Sequence, residues 1–254
     1  MPGVSTSAFV LRAVDLRESD RLLTLLTEKL GKVSAVARGA RTSRKRFGGA
    51  LEPFALIEVL LERGRGRESL FAMTEASLKD AHEGLSRDLE RLGAAAFIVE
   101  LAREVTPEHE PDAALFRTVA TSLSILSTAK TCATRPFAVA VGLGILTSAG
   151  FAVSADRCNA CGKPVPENRK ACFDPRRGGV VCTACGGGPL LLSAEAAASL
   201  AALGHVPLVE ASRAEISGGA ILEIETALSA FLEQHLPHLL RSAHFRRQVG
   251  PTGM

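Results

Sequence analysis

The hydrophobic residues in the first 80 positions come in short runs separated by turn signals. The five runs lie at 9–11, 22–23, 33–36, 56–61 and 70–73, and the clearest turns are Lys-Leu-Gly at 29–31 and Gly-Arg-Gly at 64–66. Short apolar runs divided by glycine-containing turns are typical of small antiparallel barrels. The pattern therefore predicts a five-stranded β-barrel over residues 1–80.

After Leu78 the apolar residues follow a helical spacing. The apolar residues that show it first are Leu89, Leu92, Ala96 and Val99, and Arg103 continues the same spacing. Breaks at 107, 111, 136 and 150 separate three helices of about 15 to 20 residues each. A further helix is predicted to start near Ser193, an N-cap candidate with Glu195 in the first turn, and another runs from Gly219 towards Pro237.

A segment rich in glycine and cysteine, residues 151–189, lies between the two helical blocks. The predicted fold class is α+β and multidomain. It comprises a barrel at 1–80, a helical domain formed by 81–150 with 190–254, and a four-cysteine zinc-binding insert at 151–189.

Composition limits the classes of protein that fit. The 254 residues are 46% hydrophobic with a formal net charge of +3, which supports a packed core and excludes a disordered chain. Charges throughout the first 20 residues disfavour a signal peptide, and no apolar run approaches the roughly 20 residues that span a bilayer. We therefore expect a cytoplasmic protein without membrane contact, whose six cysteines are thiols or metal ligands.

Four cysteines form two CxxC pairs, Cys158 with Cys161 and Cys182 with Cys185. Each pair can hold one face of a metal ion, and two pairs close a tetrahedral zinc site that has no open position for catalysis. The alternative is a pair of redox disulfides, but Gly-Lys-Pro and Gly-Gly-Gly follow the pairs where a redox motif needs a helix. We predict one structural zinc, whose thiolate charge is offset by nearby cations, namely Arg157, Lys163, Arg176 and Arg177. Cys132 and Cys172 are predicted to be buried or partly buried thiols.

Residues 29–51, the basic segment, contain seven cations and no carboxylate. The cations are Lys29, Lys32, Arg38, Arg41, Arg44, Lys45 and Arg46. A run of positive charges can neutralise a phosphate backbone. The alternative interpretation of this segment is a solvated loop. Phe47 is its one aromatic residue, while Phe9, Phe54 and Phe71 fall in predicted strands. We therefore predict a largely electrostatic DNA site with little base preference.

Motifs for enzymatic chemistry are absent from the sequence. It contains no Walker A sequence, complete GxGxxG, GxSxG or HExxH, and its six histidines are scattered and interpreted as surface or helix-end residues. Two other classes remain open. A zinc-ribbon transcription factor would need a recognition element rich in Arg, Asn and Gln near the cysteines, and a metal-dependent nuclease would need a carboxylate cluster. The prediction is a DNA-binding protein that is not an enzyme.

Several local sequences resemble the RecO family of bacterial recombination mediators. In the N-terminal part they are SDRLLT at 19–24, TEKLGK at 27–32, ARGAR at 37–41 and LEPF at 51–54. Later parts are the two CxxCG sequences, Phe173 and the Gly-Gly pair at 178–179 between them, and Arg-Ser at 241–242. The resemblance covers essentially the whole chain.

This resemblance implies an OB-fold barrel and a role in recombinational repair. It implies binding to single- and double-stranded DNA, annealing of complementary strands without ATP, and RecA loading together with RecR onto DNA coated by single-stranded-DNA-binding protein. It also implies nucleoid association and a helical domain that receives the acidic tail of single-stranded-DNA-binding protein. Lys130 and Arg135, which flank a helix junction before Pro136, are the candidate residues for that tail.

Overall fold

The computed structural model describes residues 3–16, 18–40, 42–47, 50–63, 70–238, 240 and 242. The chain divides into two compact units, Met1–Arg87 with Thr106–Ser127, and Asp88–Val105 with Thr128–Met254. Residues 106–127 thus group with the barrel, although the sequence pattern placed them in the helical domain. The predicted domain ranges stay predictions.

The first unit contains a closed five-stranded barrel, as predicted. Its strands are β1 Val4–Asp15, β2 Arg21–Thr27, β3 Gly31–Ala37, β4 Leu56–Arg63 and β5 Phe71–Asp80. They are hydrogen-bonded in the order β1-β2-β3-β5-β4 and back to β1, and β3 with β5 is the parallel pair. The 18 residues from 38 to 55 connect β3 to β4 and include a four-residue helix, α1 Arg44–Phe47.

Alternation of side chains explains the barrel core. Along β3 every second residue is buried, because successive side chains of a strand point to opposite faces. β1 departs from this pattern, since Ala8 to Leu11 are all buried. Phe9 is covered by Phe116 of helix α3, Ala113–Thr128, with ring centroids 5.1 Å apart. Helix α3 therefore supplies the second layer over one side of the barrel.

Two aromatic side chains lie differently from the sequence prediction. Phe54 lies in the turn before β4 with φ of 72°, not in a strand. His82, interpreted as a surface residue, is 4% exposed, and its Nδ1 lies 3.0 Å from the carbonyl oxygen of Phe54. The buried polar ring is possible because this carbonyl satisfies it.

Helices form most of the second unit. They are α2 Leu89–Val105, α4 Thr134–Ser148, α5 Ala194–Leu203, α6 Leu208–Ala211 and α7 Gly218–His235. Ser193 caps α5 as predicted, because its hydroxyl accepts a hydrogen bond from the Ala196 N–H. Phe97, Phe137, Leu200 and Phe231 are among the buried residues. Among the described residues, no helix combines the length and apolarity needed to cross a membrane.

The cysteine-containing insert forms a small antiparallel sheet. Its strands are β6 Ala171–Asp174, β7 Gly179–Val180 and β8 Leu190–Leu192, in the order β7-β6-β8. The insert packs on α7: Phe151 meets Phe231 edge to face at 6.3 Å, and His235 Nε2 lies 3.0 Å from the carbonyl oxygen of Pro175. The sheet thereby holds both CxxC pairs against the helical unit.

Candidate metal centre and basic segment

The first cysteine pair forms a tight turn. The Gly162 N–H donates to the carbonyl of Cys158 at 2.8 Å, and the Cys158 N–H donates to the carbonyl of Lys163 at 2.8 Å. Gly162 has φ of 72°, a left-handed conformation that glycine adopts without a Cβ clash. The Asn159 side-chain amide donates to the carbonyl of Arg177 at 2.7 Å and fixes this turn to the β6–β7 connection.

The second pair has a corresponding turn, formed by a short 3-10 helix, Thr183–Cys185. The Cys185 and Gly187 N–H groups both donate to the carbonyl of Cys182, at 2.9 and 3.1 Å. Gly186 has φ of 103°, so it again occupies a position that disfavours other residues. Gly162 and Gly186 therefore each turn the backbone beside a cysteine pair.

The four sulfurs of Cys158, Cys161, Cys182 and Cys185 lie within 4.8 Å of one another. Sulfurs 2.3 Å from a tetrahedral zinc ion would be separated by about 3.8 Å, and the Sγ atoms of Cys161 and Cys182 are 3.9 Å apart. All six cysteines are free thiols. The arrangement fits a four-thiolate metal site of the kind that zinc prefers, and such a metal would be structural.

The protein surroundings favour a negative charge on one of these sulfurs. The Cys182 N–H donates to Cys158 Sγ at 3.3 Å, and this bond is the main cause that lowers the pKa of Cys158 to about 6. Hydrogen bonding with the neighbouring Cys182 thiol raises the pKa of Cys185 to about 12. A divalent cation among the sulfurs would supply the positive charge that allows all four to ionise.

Two of the four predicted charge-offsetting cations contact the cysteine turns. Arg157 Nη1 donates to the carbonyl of Gly162 at 3.2 Å, and Arg177 Nη1 lies 3.5 Å from the carbonyl of Cys185. The remaining cysteines are half-buried, as predicted. Burial raises the pKa of the Cys132 thiol, so it stays protonated at neutral pH.

The structure divides the predicted DNA-binding cations between the two ends of β3. Lys29 and Lys32 lie at the start of the strand, where the Lys29 ammonium donates to the carbonyl of Ser5 at 2.7 Å. Arg38 follows the end of the strand and is exposed. Lys32 and Arg38 are six positions apart, and at roughly 3.4 Å per residue this separates the two groups by about 20 Å along the strand. Arg41 lies outside the described residues, as do the side chains of Arg44 and Lys45.

The connection from β3 to β4 is anchored to the barrel at α1. Phe47 is 2% exposed and belongs to the barrel core, so it is unavailable as a stacking platform for bases. Arg46 beside it is exposed, with hydrogen bonds from Nε to the Ser43 hydroxyl at 3.1 Å and from Nη2 to the carbonyl of Arg38 at 2.9 Å. Part of this connection therefore belongs to the barrel core and does not lie in solvent.

The candidate tail-binding residues lie in different environments. Lys130 is exposed before α4. Arg135, in the first turn of α4, forms a two-point ion pair with Glu225 of α7, with N···O distances of 2.6 and 3.3 Å. Arg135 therefore has a structural partner within the helical unit, whereas Lys130 presents its charge to solvent.

A closed barrel with a cationic connection, followed by a helical unit whose four clustered cysteines could hold a metal ion, fits the class of multidomain DNA-binding proteins. The family models described as Recombination protein O N terminal and Recombination protein O C terminal match residues 1–82 and 86–244. The chain belongs to the RecO family. Membership of this family supports a role in DNA repair and recombination, and it implies DNA binding.

Curated relatives agree over nearly the full length. The DNA repair protein RecO of Anaeromyxobacter dehalogenans strain 2CP-C is 41% identical over 99% of this chain and 98% of its own. Those of Myxococcus xanthus and Geobacter metallireducens are each 36% identical, over 98% and 99% of this chain and 99% and 100% of their own. The similarity includes both the barrel and the metal-site unit.

Proposed function

We propose that this protein is a recombination mediator that binds single-stranded DNA and anneals complementary strands without ATP. Together with RecR it helps to load RecA onto DNA coated by single-stranded-DNA-binding protein. The observation that carries the proposal is the family match over both halves of the chain. The basic segment supports it, because clustered cations release counterions from a phosphate backbone whatever the base sequence.

The protein in this proposal arranges nucleic acids and partners without making or breaking bonds. Annealing needs two phosphate backbones held together against their mutual repulsion, and exposed arginines supply the positive charge that offsets this repulsion. Nucleotide-binding motifs are absent from the sequence, in keeping with activity without ATP. The metal at the cysteine site would stabilise the fold without taking part in strand pairing.

An annealing assay tests the proposal directly. Two complementary labelled strands are mixed with the protein, with and without the cognate single-stranded-DNA-binding protein, in the absence of ATP. We expect annealing to be accelerated at least tenfold over spontaneous pairing, and to persist on coated strands. Annealing at the spontaneous rate under both conditions would contradict the proposed function.

The proposal includes docking of the acidic tail of single-stranded-DNA-binding protein near α4. Only part of the candidate site is suited to a charge-reversal test, because Arg135 is paired with Glu225. Reversal at Arg135 would place two carboxylates together and disturb the α4–α7 contact, whatever the tail does. Lys130 is the informative position.

We expect Lys130→Glu to weaken binding of a tail peptide roughly three- to tenfold, because it replaces an attractive charge at the rim with a repulsive one. The measurement is calorimetric titration of the peptide into the whole protein. Lys170→Glu, the same change at an exposed position of the insert, is the control. Equal affinities in the two variants would place the tail on another surface.

A further inference from the structure

A cavity of about 790 Å³ opens on the outer face of the barrel beside the basic segment. Its volume lies in the range of small-ligand sites. Ser43 and Arg46 of the β3–β4 connection line it on one side, and outward-facing residues of the barrel strands line it elsewhere, including Ser5, Leu60, Glu75 and Ser77. The cavity thus adjoins Arg46, one of the cations assigned to DNA.

Strand register explains why these side chains converge. Leu60 of β4 is paired with Ser5 of β1 on one side and with Glu75 of β5 on the other. All three therefore lie in one row across the outer face, with an apolar residue between a hydroxyl and a carboxylate. Glu58 and Ser77 form the next row.

Among the described residues, the two carboxylates that line the cavity are balanced by Arg46, which also lines it, and by Lys79, which is paired with Glu58. Glu58 lines it and is paired with Lys79, whose ammonium lies 2.5 Å from Oε2, while the Ser5 hydroxyl donates to Oε1 at 2.8 Å. Glu75 and Arg46 supply one charge of each sign. Within the described residues the Glu75 carboxylate has no hydrogen-bond or ion-pair partner, and it is exposed. A neutral cavity with a free acceptor is unsuited to phosphate but suited to a polar uncharged ring.

We propose that this cavity accepts a guanine base from a DNA strand whose phosphates lie on the basic segment. The inference rests on the proposed function, because the strand must first be bound there. Guanine presents two adjacent donors, N1–H and N2–H, which match the two oxygens of the Glu75 carboxylate, and its O6 accepts from a hydroxyl or guanidinium N–H. Leu60 contacts the ring face.

Other bases match the Glu75 carboxylate less well. Thymine offers a single N–H between two carbonyl oxygens, which an ionised carboxylate repels. Adenine and cytosine each present one amino group beside an acceptor nitrogen. A carboxylate accepts and never donates, so only guanine pairs with both of its oxygens. This inference adds a base preference to a site for which the sequence predicted little.

The experiment compares three fluorescent oligonucleotides on the whole protein. One is all thymine, one carries a single central guanine, and one carries hypoxanthine at that position, which lacks the N2 amino group. We expect the guanine strand to bind about tenfold more tightly than the thymine strand, since a two-point contact to a base discriminates by about that factor. The hypoxanthine strand should lose most of this preference.

The protein variants separate the cavity from the electrostatic site. Glu75→Gln introduces a donor opposite the guanine donors and should abolish the preference while binding of the thymine strand persists. Glu62→Gln makes the same change at an exposed residue of β4 that does not line the cavity, and should keep the preference. Normal binding of all strands without preference in the unmodified protein would overturn this inference alone. Failure to bind any strand at low salt would overturn the proposed function with it.

Discussion

Replacing Cys161 with serine is expected to abolish the zinc binding that we propose at the four-cysteine site and to destabilise the helical unit. Serine is a poor zinc ligand, and three remaining thiolates leave the ion open to water and to chelators. Binding free energies of structural zinc sites are about 10 to 16 kcal/mol in small domains, so loss of the ion removes a large contribution to folding. Metal analysis of the purified variant and its thermal unfolding midpoint measure both effects.

Cys132→Ser is the matched control for this prediction. Cys132 is a half-buried thiol of the same unit that lies outside the four-sulfur cluster. Its replacement should leave one zinc per chain and change the midpoint little. Retention of a full equivalent of zinc in the Cys161 variant, or absence of zinc from the unmodified protein, would contradict the assignment.

Charge reversal at Arg41, Arg44 and Arg46 is expected to weaken single-stranded DNA binding at least tenfold and to flatten its salt dependence. Each phosphate contact to a single strand contributes about 0.7 to the slope of log affinity against log salt concentration, so three lost contacts reduce it by about 2. Fluorescence titrations at several salt concentrations give the slope. The barrel should stay folded, because Phe47 remains in the core.

The control for charge reversal lies in the metal-site unit. Arg169, Lys170 and Arg213 are exposed there, and their reversal changes the net charge equally without altering the barrel or the cations near the cysteines. An unchanged slope in the basic-segment variant would move the DNA site elsewhere, such as to Arg241, Arg246 and Arg247. The same titrations after charge reversal at Lys29 and Lys32 then test whether the bound strand extends to the other end of β3.

The strands and the clustering of the four cysteines could be predicted from the sequence because their signals are local. Alternation along β3 and the CxxC spacing depend on neighbouring residues, and each follows directly from backbone geometry. The parallel pairing of β3 with β5 has no such local signal. It depends on chain closure between segments more than 30 residues apart.

Burial of individual side chains was harder to predict. The helical spacing of Leu89 and Leu92 gave α2 correctly, yet Leu89 is 59% exposed, while Ala94 and Ala95 are buried. Small residues allow close approach of another helix, a property that hydrophobicity alone does not register. The cationic neighbours of Phe47 gave no sign in the sequence that its side chain is buried. The cavity beside Glu75 has no local signal either, because it is lined by residues from three strands and the β3–β4 connection.

The small sheet of the insert limits how the chain can be shortened by deletion. β6, inside the predicted insert, pairs with β8, which lies beyond its boundary and leads directly into α5. Joining residue 150 to residue 190 would remove the partner of β8 and uncover Leu192, which is 1% exposed. The cysteine-containing segment therefore cannot be deleted as a unit. A relative without the metal would still need to keep its β6 to complete the helical unit.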